Sequence, residues 1–135
     1  MATKSALDQL LADSGLGDKA TKVDANMARM QWGSAFVLVG VSGSAIVAIA
    51  PMFQKLPEGK ELAFYRKLLE HNAYMGGVAA FAIQKDGWVV LHAGRALEGM
   101  DAKEFTGLVT SVGRFADELD DKLIAEFYSP PSTPP

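Results

Sequence analysis

The sequence predicts an α+β domain in which a single antiparallel five-stranded sheet is combined with three helices, in the order α-β-β-β-α-β-β-α. Three observations carry this reading. The stretch from Met30 to Gln54 holds no charge, yet Gly40, Ser42, Gly43 and Ser44 interrupt it at its middle, which favours two strands and a tight turn over one continuous helix. Asp86-Gly87 separates two further short runs rich in β-branched and aromatic residues, and a glycine there supplies the positive φ of a tight hairpin. From Asp101 to Phe127, apolar residues recur at i, i+3, i+4 and i+7, the period of an amphipathic helix. With 135 residues the chain is long enough for one domain with its own core and too short for two ordinary ones. The domain is expected over residues 1–128, and Ser129–Pro135 (SPPSTPP), which cannot continue a helix, as an extended proline-rich tail.

The first helix starts at Ser5, an N-cap with Asp8 three residues on, and places Leu7, Leu10 and Leu11 on one face before Gly15 and Gly17 stop it. Lys22–Trp32 alternates loosely and is expected to form one strand, with Val23, Ala25 and Met27 inward and Met30 and Trp32 following after a register shift. The second strand, around Phe36–Val41, and the third, around Ile46–Ile49, are apolar on both faces. In a sheet this means that something covers both: a helix, a second subunit or a bound partner segment. Pro51 is expected to end the third strand, because proline cannot donate to a ladder. The second helix is read from Pro57 to Tyr74, with Leu62, Tyr65, Leu68, Leu69 and Ala73 as its apolar stripe and Gly76-Gly77 as its stop. The Val78–Gln84 and Trp88–Gly94 hairpin follows. The last helix is capped by Asp101, with Glu104 at the third position, and buries Phe105, Leu108, Val109, Val112, Phe115, Ala116, Leu119, Leu123 and Phe127.

Composition narrows the function classes. The chain is 49% hydrophobic and 21% charged, close to a globular average. Its net charge of -3 offers no attraction to phosphate backbones or anionic lipid, so direct nucleic-acid binding is not expected. A membrane span is not expected either, because the uncharged run is broken by its Gly/Ser turn. Asp8 and Asp13 fall inside what would be the apolar part of a secretory signal, which argues against one. The absence of cysteine removes disulfides, thiolate metal sites and cysteine nucleophiles, and is compatible with the cytoplasmic localisation expected here.

Motifs for chemistry are sparse. His71 and His92 have no ligand spacing around them, so neither a metal nor another cofactor is expected. Gly15-Leu-Gly17-Asp-Lys-Ala20 has the letters of a dinucleotide fingerprint but follows a helix, where a strand is required. Gly40-Val-Ser42-Gly43 lies in a strand-to-strand turn and falls short of a nucleophile elbow. Asp117, Glu118, Asp120 and Asp121 read as the solvated face of the last helix. Met27, Met30 and Met52 gather in or beside the first three strands, where flexible thioethers suit either core filling or an adaptable contact.

Three pieces of the chain are together familiar: Leu68-Leu69-Glu-His-Asn72 closing the second helix, Phe81–Leu91 as the Asp86-Gly87 hairpin, and Leu97 followed by Phe105, Leu108, Val112 and Phe115. Over about residues 5–127 the chain resembles the YbjN-like family, itself similar in fold to the class I chaperones of type III secretion, the CesT/Tir chaperone group of bacteria. None of these pieces is a catalytic signature. The resemblance implies a homodimer without enzymatic activity that holds an extended segment of a protein client in apolar grooves formed by the first helix and first three strands. Carried onto this sequence, it makes Leu7, Leu11, Met27, Met30, Phe36, Leu38, Val47 and Ile49 the client-facing candidates. Leu69, Tyr74, Phe81, Ile83, Trp88 and Val90 become the dimer candidates, with the second helix and last two strands near the twofold axis. The competing reading is a small-ligand binder or enzyme with a pocket at the dimer seam around His71, Tyr74 and His92. That reading requires polar groups converging in a cavity, whereas client binding requires an open groove or a free strand edge.

Overall fold

A computed structural model of the chain describes residues 5–128. The tail expected at Ser129–Pro135 lies outside the described residues. The chain runs as α1 (Ala6–Ser14), a single 3-10 turn, β1 (Ala20–Asp24), β2 (Met27–Trp32), β3 (Ala35–Ser42), β4 (Ala45–Phe53), α2 (Glu61–Met75), β5 (Ala80–Ile83), β6 (Val89–Ala96) and α3 (Ala102–Leu123). All ladders are antiparallel, and the sheet order is β1-β2-β3-β4-β6-β5.

The expected caps and turns are where the sequence put them. The Asp8 amide donates to Ser5 Oγ (3.1 Å) at the start of α1, and the Glu104 amide donates to Asp101 Oδ1 (2.7 Å) at the start of α3. Gly43 and Gly87 take the positive φ of the two hairpin turns.

The sheet has six strands, where five were expected. The single strand read from Lys22 to Trp32 is a hairpin, because Asp24 Oδ1 accepts from the Asn26 amide (2.8 Å) and this Asx turn reverses the chain at Ala25-Asn26. The reversal also changes the faces. Ala28 and Met30 point into the core, whereas Val23 and Met27, expected inward, are exposed. Pro51 lies within β4 instead of ending it. It is tolerated because the β3 ladder stops at Leu38 and Ile49, leaving Pro51 paired only with β6, next to a register shift.

One face of the sheet carries the core. Val37 and Val39 of β3, Ile46, Ala48 and Ala50 of β4, and Leu91 and Ala93 of β6 meet Leu108, Val109, Val112 and Ala116 of α3, with Leu7, Leu10 and Leu11 of α1 alongside. Each fully buried aliphatic of this kind contributes about 1.5–3 kcal/mol before entropy is charged against it. At the far end of the sheet, α2 packs against β5 and buries Phe64 among Phe53, Phe127 and Tyr128. Its inward residues are Phe64, Leu68 and Met75. Leu62, Tyr65 and Leu69, expected on the buried stripe, point outward, because α2 packs on the end of the sheet and on the π-helical turn Ile124–Tyr128 that follows α3, and so buries a narrow strip.

Candidate functional site

Among the described residues, no helix lies on the second face of the sheet. Across β2, β3, β4 and β6 its residues form two neighbouring rows, Arg29–Leu38–Ile49–His92 and Met27–Gly40–Val47–Gly94. Glycine inside a strand removes the side chain from the floor and lets another group approach the backbone. Here Gly40 and Gly94 flank Val47 on either side. A Cβ on Gly40 would lie 3.2 Å from the Asn26 carbonyl oxygen, so the β1–β2 turn comes close alongside this position. The Val41 amide donates to that same oxygen (2.9 Å), which continues the β2–β3 ladder and ties the turn to β3. The result is an open apolar groove of about 590 Å³ with Leu38, Gly40, Val47 and Ile49 as floor and Asp24, Asn26 and Met27 as rim. Beside it on the same face, next to Leu38, the Arg29 guanidinium lies on the Phe36 ring, 4.0 Å from the centroid.

The β2–β3 hairpin that carries the groove is clamped to α3. The Ser34 amide donates to Asp117 Oδ1 (2.9 Å), and the Ser34 hydroxyl lies 2.9 Å from Asp117 Oδ1 and 2.6 Å from Asp120 Oδ2. The backbone amide, then the hydroxyl, of Ser34 hold the Asp117 carboxyl below its ordinary value. The acidic run was expected to be merely solvated, but two of its members are structural. No local pattern marks them, since their partner is far away in sequence.

A second apolar surface lies on the outer side of α2. Leu62 and Tyr74 are 84% and 85% exposed, and Leu69 is 66% exposed. Together with Tyr65, Arg66 and Ala73, Leu62 and Leu69 line a shallow concavity of about 770 Å³. Tyr65, Leu69 and Ile83 also border a smaller recess against β5.

The client-facing candidates therefore divide. Met27, Phe36, Leu38, Val47 and Ile49 share the open face, whereas Leu7, Leu11 and Met30 are buried under the helices and do not line the groove. Among the dimer candidates, Leu69 and Tyr74 are exposed on α2, Ile83 is exposed on β5 and Trp88 is partly buried. Phe81 and Val90 are buried within the subunit itself. The Asn72 side chain brackets the Phe81 backbone, accepting from its amide at 2.7 Å, which ties α2 to β5.

Within one subunit the three residues of the competing seam pocket do not converge. The His71 ring lies 6.2 Å from Phe81 on the helix side, whereas His92 pairs with Ile49 on the opposite face and Tyr74 points to solvent. Burial, then the nearby Lys67, pushes the His71 pKa below its ordinary value. Among the described residues, no cluster of three His, Cys, Asp or Glu is gathered for a metal ion, and no helix is long and apolar enough to cross a membrane.

Comparison with known proteins places this geometry. The sequence profile of the Tir chaperone protein (CesT) family matches residues 5–118. No curated protein matches the chain. Among solved structures, the ExsC-ExsE complex superimposes with a TM-score of 0.64 at 17% identity, covering 90% of this chain and 96% of the other. The heterodimeric ExoU-SpcU complex from the type III secretion system of Pseudomonas aeruginosa gives a TM-score of 0.65 at 17% identity, over 85% and 95% of the two chains. The Yersinia pestis type III secretion chaperone SycH, in complex with a stable fragment of YscM2, gives 0.58 at 18% identity, over 86% and 98%. At these identities the likeness is one of fold.

Proposed function

Because the chain belongs to the Tir chaperone protein (CesT) family, we propose that it is a non-enzymatic chaperone or adaptor that acts as a homodimer and holds an extended segment of a protein partner against the open face of its sheet. The observation that carries this reading is the groove over Leu38, Gly40, Val47 and Ile49: an apolar sheet face that no described residue of the chain covers, its floor lowered by glycine. Apolar side chains of an extended segment would fill it, and the outer strand β1, free on one side, offers backbone groups for pairing. The solved complexes of similar fold, among them ExoU-SpcU and SycH with YscM2, support a protein as the partner.

The outer face of α2 is assigned to the second copy. Leu62, Tyr65 and Leu69 share one side of the helix with Ala73 and line one concavity, which lies at the opposite end of the sheet from the groove rim. The two functions therefore use separate surfaces.

A tagged copy recovered from its native host tests the reading. A protein partner should be retained by the wild type and lost from folded Val47→Glu. It should also stay bound as salt rises from 0.1 to 1 M, which shortens the screening length from about 10 Å to about 3 Å while leaving apolar burial intact. Release at moderate salt, or retention by folded Val47→Glu, would move the working site to a charged surface elsewhere.

A further inference from the structure

Arg29 stands apart from the rest of the open face. Its neighbours across the ladders are Thr21 on β1 and Leu38 on β3, and its guanidinium is laid on the Phe36 ring while the residue stays exposed. Among the described strand residues of this face it carries the only fixed positive charge. No carboxylate pairs with it in the ion pairs of the described residues, which join Lys22 to Asp8, Arg66 to Glu70 and Lys67 to Glu126. Asp24, the nearest acid on its own face, sits at the turn, where it is engaged by the Asn26 amide.

Arg29, Leu38 and Ile49 are consecutive neighbours in one row, so an occupant that lies on Leu38 and Ile49 also takes the guanidinium out of water. A covered and unpaired cation is costly, and stacking on Phe36 satisfies its face but none of its N–H groups. A carboxylate satisfies both, since it accepts two of those N–H groups side by side. A lysine or arginine brought to the same place meets like charge in a drying groove.

We propose that Arg29 is a specificity determinant of the groove, selecting an extended partner segment whose inward-facing residues are apolar except for one Asp or Glu set against the guanidinium, and rejecting segments with a basic residue there. This rests on the groove reading above and adds the chemistry of what the groove accepts. Because the chain as a whole is acidic, with a net charge of -3, the preference for an acidic residue is local to Arg29 and runs against the overall field.

Selection from a phage-displayed library of random twelve-residue peptides tests it, with wild type, Arg29→Glu, Arg29→Gln and Leu38→Glu as baits, each shown to be folded by circular dichroism. Wild type should enrich peptides with alternating apolar residues and an Asp or Glu at one recurring position. Changing that acid to Lys in a synthetic copy should weaken binding by at least about tenfold. Arg29→Glu should enrich Lys or Arg at that position, and Arg29→Gln should show no charge preference. Peptides that are lost from Leu38→Glu but carry no recurrent acid, or that bind Arg29→Glu equally well, overturn the role of Arg29 and leave the groove standing. No enrichment by wild type, or peptides indifferent to Leu38→Glu, overturns the groove and this inference with it. The acid-to-Lys comparison uses wild-type protein alone, so it decides the matter even if a variant fails to fold.

Discussion

Gly113 is where α3 meets the Trp32 side chain: a Cβ there would lie 2.5 Å from ring atoms of Trp32. Alanine is the better helix former by about 1 kcal/mol, so Gly113→Ala would stabilise a free helix. Here the clash should win, because the indole atoms that are met are those nearest the Trp32 backbone and cannot swing away cheaply. The expected outcome is a net loss of about 1–2 kcal/mol. A thermal melt should show it as a drop of several degrees, since 1 kcal/mol moves the midpoint by about 4 °C at this size. In the double variant Trp32→Ala/Gly113→Ala, the alanine at position 113 should no longer be harmful. The neighbouring clamp predicts a pH dependence. Asp117 is held below its ordinary carboxylate range by Ser34, so the folded state favours its ionised form. The stability this contributes is present above the unfolded carboxylate value of about 3.9 and lost as pH falls through the lower folded value. Urea melts of wild type and Asp117→Asn should therefore differ at pH 6 and draw together as the pH falls below the ordinary carboxylate range.

At the scale of elements, α2 is the part whose sequence and structure disagree most, and the disagreement is informative. Its stripe of Leu62, Tyr65 and Leu69 has the helical spacing of a core face, yet these residues point outward, while Phe64, Leu68 and Met75 hold the helix to the domain. A single sequence records apolar spacing without recording whether the covering surface belongs to the same chain. Substituting an outward residue should therefore change assembly and spare folding. Leu69→Asp is expected to give a folded protein with a mass near 14.4 kDa by light scattering, against twice that for wild type. A wild type that is itself near 14.4 kDa would remove the second copy from α2. Phe81→Asp, by contrast, should unfold the subunit, because Phe81 is buried beneath α2. Elsewhere the elements were legible where the signal was local. Ser5, Asp101, Gly43 and Asp86-Gly87 placed caps and hairpins, and the period of α3 named its buried face. The β1–β2 reversal was missed because Ala25-Asn26 lacks the glycine that marks the other turns, and the only cue was Asp24 two residues before Asn26. The groove was half legible: apolarity on both faces of β3 showed that a face awaited cover, but nothing in the spacing placed Leu7, Leu11 and Met30 on the other side.

For the whole molecule, the groove and the outer face of α2 lie at opposite ends of one sheet, and the sheet order that separates them also orders events in time. β1, β2, β3 and β4 follow one another in sequence and in space, whereas β4 reaches its other neighbour, β6, only after α2 and β5 have been made, pairing Ala45 with Ala96. Contacts between chain neighbours close sooner than contacts across long loops. The four-stranded meander is therefore expected to be protected first when the chain refolds, with the β4–β6 amides following. Pulse-labelled hydrogen exchange during refolding reads this order directly, and simultaneous protection of both would refute it. During that interval the meander is bare on both sides. When α3 docks it covers one, and the face that stays uncovered is the one from which the groove is built. A partner segment could thus meet its groove before the subunit that carries it is complete.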